Sequence, residues 1–299
     1  IIVKKPLQNH KPEEEESDIE NSLISSDSSE RGYSVLLDES FQAKCRMREE
    51  IKPFYRFDLF PNLTKLRILQ EDCTYPLGSF VIDGFAALKN LQELKIQIQL
   101  RSEGTQYLFK GFFQLPFLRK FSLWITFMKT EDWALLESFL KNQNKLEALS
   151  LQVEDGTANK TVYQKQNNYI ESIIRDLDSK PLLKSLDFQS RYSSLETLSK
   201  GFARLKMVNQ LQSLKIEASD KTITSETKAW KRVEGLCNFI KKQKESMRNL
   251  YLSVPYVLEE NIINYLGEAI SRLTYLRELV LSINKNRGLG KTADGSKNF

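Results

Sequence analysis

A short apolar pattern recurs eight times along this chain, and its spacing is nearly constant. Each copy is apolar at positions 1, 4 and 6, and usually at position 8, as in Leu118, Phe121, Leu123 and Ile125. The copies begin at residues 63, 91, 118, 146, 183, 211, 247 and 276, so the intervals are 28, 27, 28, 37, 28, 36 and 29 residues. Apolar residues at alternate positions predict a short strand with one buried face.

Helical periodicity lies between the predicted strands. Apolar side chains share one helical face in residues 130–140, 169–177, 195–205 and 258–273. Thr130 is the predicted N-cap of the first of these helices, because the acidic residues that follow it suit the positive end of a helix dipole. One strand and one helix cannot bury both of their apolar faces, but stacked copies can. The sequence therefore predicts an α/β solenoid, with parallel strands lining the inside of an arc and helices lining the outside.

The Leu-x-x-Leu-x-Leu units at 27 to 29 residues resemble leucine-rich repeats of the ribonuclease-inhibitor-like class. This resemblance implies a horseshoe of about eight repeats, with its strands on the concave face. It also implies an interaction module, since the class includes ubiquitin-ligase adaptors, immune receptors, GTPase regulators and ciliary scaffolds. The class usually has asparagine at position 9, where it bonds the turn backbone; here only Asn284 matches. The turns must therefore find other hydrogen-bond partners.

Four segments follow from composition and the repeat. Residues 1–32 are predicted to be a disordered, acidic, serine-rich tail, and residues 33–58 an N-terminal cap. The leucine-rich-repeat domain is predicted to cover 59–284, and residues 285–299 a flexible or truncated tail. Ser17 fits an acid-directed kinase site, so the acidic tail is either a solvated tail or a phosphorylation switch.

The acidic tail conceals the charge of the remaining chain. Residues 11–30 contain eight carboxylates and one lysine, a net charge of −7, while the whole chain carries +5. The rest of the chain therefore carries +12, which would attract acidic proteins, nucleic acid, lipid head groups or the chain's own tail. A protein partner is the leading interpretation, and a nucleic acid is the weaker one because lysine-rich surfaces are common.

The sequence contains few of the residue combinations that catalytic sites require. The only histidine, His10, lies in the predicted tail, so a folded imidazole for a Ser-His-Asp, Cys-His or HExxH site is missing. Gly290-Lys291-Thr292 resembles the end of a phosphate-binding loop, but Lys285 stands where that loop needs glycine. We therefore expect no catalysis and no cofactor or metal.

The sequence also supports predictions about the cellular location of the protein and about whether the chain is part of a larger one. The three scattered cysteines indicate a reducing, intracellular and cytoplasmic location. No apolar run approaches the length of a membrane-spanning helix.

The chain begins with Ile1 rather than Met, which motivates an alternative hypothesis. In it, the chain is the regulatory or substrate-recruiting portion of a larger enzyme, such as a kinase or ubiquitin ligase. The sequence does not indicate an oligomeric state.

Partner contacts are predicted at positions 3, 5 and 7, because those side chains point away from the core and toward the concave face. They form a basic stripe over the first three strands, an adjacent aromatic anchor, and an apolar patch over the last two strands. In that order the predicted partner-binding residues are Lys65, Arg67, Lys95, Lys120; Trp124; Tyr251, Val280. The alternatives are that this face is merely solvated, or that Trp124 packs under a neighbouring side chain.

Overall fold

The computed structural model describes residues 57–73, 80–100, 105–126, 128–153, 160–190, 195–218, 231–255 and 260–284. These residues form eight strands alternating with seven α-helices. The strands are β1 Lys65–Cys73, β2 Glu93–Leu100, β3 Lys120–Ile125, β4 Ala148–Val153, β5 Ser185–Ser190, β6 Ser213–Ala218, β7 Asn249–Pro255 and β8 Glu278–Asn284. The helices are α1 Phe80–Ala87, α2 Thr105–Phe112, α3 Thr130–Asn142, α4 Lys160–Asp176, α5 Leu195–Ala203, α6 Lys231–Lys242 and α7 Glu260–Ser271.

The chain divides into two compact units, Ile1–Lys120 and Phe121–Phe299. In the first unit β1 and β2 pair in parallel, with Leu66 opposite Leu94. Both leucines are 2% exposed or less, and each such burial contributes about 1.5–3 kcal/mol relative to full exposure. Helices α1 and α2 pack closely, because a Cβ at Gly111 would lie 2.6 Å from the Phe85 ring. The rings of Phe85 and Phe112 meet edge to face at 5.7 Å.

In the second unit β3 to β8 follow chain order, and β4 to β8 pair in parallel. Position 4 keeps its register through these five strands: Leu149, Leu186, Leu214, Leu250, Leu279. The buried face of α6 includes Val233, Leu236, Phe239 and Ile240, all 0% exposed. Helix α6 lies so close to α5 that a Cβ at Gly235 would overlap the backbone carbonyl of Ser199.

One backbone arrangement recurs at the start of the strands. The carbonyl of position 2 accepts two N–H groups from positions 2 and 3 of the next copy, as Thr64 accepts from Gln92 at 2.8 Å and Glu93 at 3.0 Å. Within the second unit the same pair of bonds reaches the carbonyls of Glu147, Lys184, Gln212 and Arg248. Because both donors belong to a fixed position in the pattern, these bonds hold neighbouring copies in one register.

A second recurring bond marks the residue that closes each helical segment. Its N–H donates to the carbonyl three residues earlier, and we call these residues the helix-end residues: Phe60, Leu88, Leu115, Gln143, Lys180, Leu205, Gln243, Leu273. The amide oxygen of Gln243 accepts the N–H groups of Gln210 at 2.9 Å and Leu211 at 3.0 Å. Its amide nitrogen donates to the carbonyl of Met207 at 2.9 Å. The Gln243 side chain thus satisfies backbone groups of the loop that precedes β6.

The side chain of Lys180, another helix-end residue, is a cation and also donates a hydrogen bond to a backbone carbonyl. Its Nζ donates to the carbonyl of Lys141 at 3.0 Å, and the residue is 1% exposed. Burial lowers the pKa of Lys180 below its ordinary value, although the nearby Asp176 carboxylate opposes the shift. A buried ammonium at this position therefore links the end of α3 to the loop before β5.

The α/β class and the alternation of strands with helices are confirmed, and three local predictions are wrong. The N-cap of α3 is Lys129, whose N–H donates to the Asp132 carboxylate at 2.9 Å; Thr130 is already helical. Ile263, expected on the buried face of α7, is 53% exposed. Leu279 and Leu281, at core positions of β8, are 43% and 52% exposed. The predicted tail, most of the predicted cap, and residues 285–299 lie outside the described residues.

Candidate partner-binding face

Within each unit, positions 3, 5 and 7 of the strands point to the same side of the sheet, and we call this side the open face of that unit. In β3, β4, β5 and β6, side chains at positions 4, 6 and 8 are buried, and those at positions 3, 5 and 7 are half-buried or exposed. This alternation is the direct consequence of the two-residue period of a strand. The predicted partner-binding residues all lie on the open face of their own unit.

The open face of the first unit is basic. Its residues at these positions are Lys65, Arg67, Leu69, Glu93, Lys95, Gln97 and Lys120. Four cations against one carboxylate give a net charge of +3. We call the four cations the basic cluster: Lys65, Arg67, Lys95, Lys120.

Glu93 lies between two lysines of the basic cluster. It is not among the predicted partner-binding residues. Its Oε1 lies 2.8 Å from the Lys120 ammonium and 3.5 Å from the Lys65 ammonium. Burial by itself would raise the pKa of Glu93, but the hydrogen bond from Lys120 and the charges of both lysines outweigh burial and lower it. Glu93 is therefore ionised at neutral pH, and the position-3 row reads cation, anion, cation.

The position-5 row of the first unit has no such anion. Arg67 stands directly opposite Lys95 in the strand register, and like charges in that arrangement repel. Neither side chain forms an ion pair or hydrogen bond within the part of the chain that the structure describes. Among the described residues no acceptor reaches the Nε of Arg67, which is shielded from solvent, at a cost of about 1–3 kcal/mol. A carboxylate supplied from outside would relieve the repulsion between the two cations.

The open face of the second unit is acidic, and its one cation already has a counter-charge. Lys215 is its one cation at positions 3, 5 and 7, against Asp187, Glu217 and Glu278, which gives a net charge of −2. The Lys215 ammonium lies 3.8 Å from the Asp187 carboxylate and 5.2 Å from the centre of the Tyr251 ring. The hydroxyl of Ser150 donates to the same carboxylate at 3.3 Å.

The strand register explains why these position-5 side chains of the second unit are neighbours. Position 5 runs Ser150, Asp187, Lys215, Tyr251, Val280 across neighbouring strands. The predicted apolar pair Tyr251 and Val280 is thus adjacent, with Val280 37% exposed. Asp187, which joins three neighbours, was not among the predicted residues. Its signal was readable in the sequence, because Asp187 and Lys215 occupy the same position of successive copies.

Trp124 lies on the open face of the second unit, between the buried residues Leu123 and Ile125 of β3. The indole is half-buried, and its Nε1 is shielded without a hydrogen-bond acceptor among the described residues. A large aromatic group with an unused donor is a common interface anchor. Its predicted place beside the basic cluster stays a prediction.

Reactive groups are scarce among the described residues. They contain no group of three or more His, Cys, Asp or Glu side chains able to hold a metal ion. Burial raises the pKa of the Cys237 thiol to about 12, so this cysteine is a packing residue and a poor nucleophile. In the same part of the chain, no helix combines the length and apolar character needed to cross a membrane.

Comparisons with known proteins give no family. No family model matches the chain, and no curated protein matches it. A Bacteroides fragilis protein solved by a structural genomics consortium is 11% identical at a TM-score of 0.44, over 84% of this chain and 68% of that one. A sugar phosphate isomerase/epimerase from Parabacteroides distasonis is 8% identical at a TM-score of 0.24, over 89% and 93% of the two chains. At such low scores, neither similarity indicates the fold or activity of this chain.

Proposed function

We propose that this chain is a leucine-rich-repeat solenoid that acts as a non-catalytic interaction module and binds an acidic segment of a partner protein on its open face. The observation that carries the proposal is the pair Arg67 and Lys95, which has no counter-charge among the described residues. Two adjacent cations favour a ligand that brings carboxylates.

The spacing of the repeats supports the solenoid part of this proposal. Within each unit, strand-and-helix copies repeat one hydrogen-bonding scheme, in which the position-2 carbonyl of one copy accepts N–H groups of the next copy. A partner segment that lies across the open face of a unit contacts more than one strand at once. Trp124 and Tyr251 are aromatic groups placed to anchor apolar residues of that partner.

Site-specific photo-crosslinking tests the proposal. A photoreactive amino acid replaces Lys95 on the open face in one variant and Lys110, an exposed lysine of α2 in the same unit, in the control. We expect a protein adduct at position 95 that is missing at position 110, and an Asp- or Glu-rich partner peptide in its digest. Identical adducts at both positions, or adducts with nucleic acid alone, would contradict the proposal.

A further inference from the structure

We infer that residues 11–30 of this chain are themselves a ligand of the basic cluster, so that the protein occupies its own binding face until a partner displaces this segment. The inference rests on the proposed function, because it assigns an occupant to the same surface. It starts from the charge that the first unit leaves without an internal partner.

The only carboxylate at positions 3, 5 and 7 of the first unit is already engaged. Glu93 shares one oxygen between Lys65 and Lys120. Arg67 and Lys95 therefore face the open side with neither an ion pair nor a hydrogen bond to the described residues. About two negative charges would balance the position-5 row that contains Arg67 and Lys95.

The chain contains a segment with the complementary charge. Residues 11–30 carry eight carboxylates and one lysine, a net charge of −7, and four of the carboxylates are consecutive, Glu13 to Glu16. Consecutive glutamates allow several carboxylates to approach neighbouring cations together. The second unit is a poorer target, since its open face carries −2 and its one cation, Lys215, is already beside Asp187.

Covalent linkage makes the chain's own segment a strong competitor. The 26 residues between residue 30 and Phe57 can span at most about 90 Å when fully extended. That reach exceeds the distance across two neighbouring strands, which lie about 5 Å apart. A tethered ligand of this kind acts at an effective concentration on the order of 1 mM. A free acidic peptide must therefore compete with the tethered one, and its apparent affinity falls accordingly.

A competition experiment in the full-length chain tests the inference. The probe is a fluorescein-labelled peptide of residues 11–30, measured by fluorescence anisotropy. It is titrated with the unmodified chain and with a four-glutamine variant, Glu13→Gln, Glu14→Gln, Glu15→Gln and Glu16→Gln. We expect the probe to bind the four-glutamine variant at least 10-fold more tightly than the unmodified chain. Adding Arg67→Ser and Lys95→Ser to that variant should abolish the gain.

The outcomes separate this inference from the proposed function. Equal, measurable binding to both chains means that the face accepts acidic ligands but is not self-occupied, and the inference is wrong. No binding to either chain contradicts both the acidic-partner proposal and the inference. Circular dichroism and thermal melting of each variant verify that the changes leave the fold intact.

Zero-length carbodiimide crosslinking supplies a second test. Carboxylates of residues 13–16 should join to Lys95 more often than to Lys110, the exposed helical lysine of the same unit. Mixing equal amounts of isotope-light and isotope-heavy chains shows whether both ends belong to one molecule. Mixed crosslinks that make up about half of the total, as random pairing gives, would assign the contact to a second copy of the chain. Equal yields at both lysines would assign it to nonspecific attraction, and either result overturns self-occupation.

Discussion

The two units of this protein use the same repeat for different surfaces. The first presents a net charge of +3 on its open face and leaves Arg67 and Lys95 without an ion pair among the described residues, whereas the second presents −2 and pairs Lys215 with Asp187. Their helix-end residues differ as well. Those of the first unit are all apolar, whereas the second unit has buried Gln143, Lys180 and Gln243 beside Leu205 and Leu273.

This difference separates two kinds of position in the repeat. Positions 1, 4 and 6 are apolar in both units and fill the core, except in the last copy, where Leu279 and Leu281 are exposed. Positions 3, 5 and 7 face away from the core, so their charge varies without disturbing the fold. Among the described residues, the first open face therefore keeps two cations without an ion pair, whereas the one cation of the second open face lies beside Asp187.

The largest expected effect tests the helix ends of the second unit. Gln243→Leu removes the partners of two N–H groups and one carbonyl in a buried loop, so we expect a loss of about 3 kcal/mol in the free energy of unfolding. Urea unfolding measures it. The control is Gln212→Leu, an exposed position-2 side chain in the same unit, which should change stability by less than about 0.5 kcal/mol. Similarly small losses in the free energy of unfolding from both substitutions would show that the polar helix-end residue Gln243 does not stabilise the second unit.

Charge reversal tests the open face of the first unit. Arg67→Glu with Lys95→Glu changes its net charge from +3 to −1. Binding of the labelled acidic peptide to the four-glutamine variant should weaken about 30-fold, equivalent to roughly 2 kcal/mol. Lys215→Glu is the control in the second unit, and there we expect less than a 3-fold change. Equal losses from both changes would show that only the total charge of the protein matters.

The aromatic anchor is tested by Trp124→Ala combined with Lys120→Glu. Truncating an interface tryptophan typically costs about 1–2 kcal/mol, so recovery of the crosslinked partner should fall by about 10-fold. The comparison is quantitative mass spectrometry of partner recovered by each chain at equal expression. Unchanged recovery would remove Trp124 and Lys120 from the binding face.

The smallest expected effect concerns the one anion within the basic cluster. Glu93→Gln raises the net charge of the first open face to +4, so the acidic peptide should bind about 3-fold more tightly, roughly 0.6 kcal/mol. Because the pKa of Glu93 is lowered on folding, its ion pairs stabilise the protein above its ordinary pKa. That contribution is lost as the pH falls through the lowered value. The variant should lack this part of the acid dependence in thermal melts, and identical acid profiles would contradict the assignment.

Much of the architecture was predictable from local periodicity. The alternation in Leu118 to Ile125 predicted a strand with one buried face, and α3 and α5 appear where their apolar periodicity placed them. The N-cap was less predictable, since Lys129 has no capping side chain and uses its N–H with Asp132 instead. Ile263 matched the helical pattern but is exposed, because periodicity identifies a face without showing that another element covers it.

The pattern of side chains along single strands was set by the sequence, since a strand exposes alternate residues whatever its neighbours are. What lies opposite each side chain was decided only by tertiary structure. Intervals of 37 and 36 residues interrupt the regular spacing, so the match of Ser150 to Asp187 and of Lys215 to Tyr251 depends on how the longer connections fold. The bridging of Lys65 and Lys120 by Glu93, and the bonds from Gln210 and Leu211 to Gln243, likewise arise from contacts between residues about 30 positions apart.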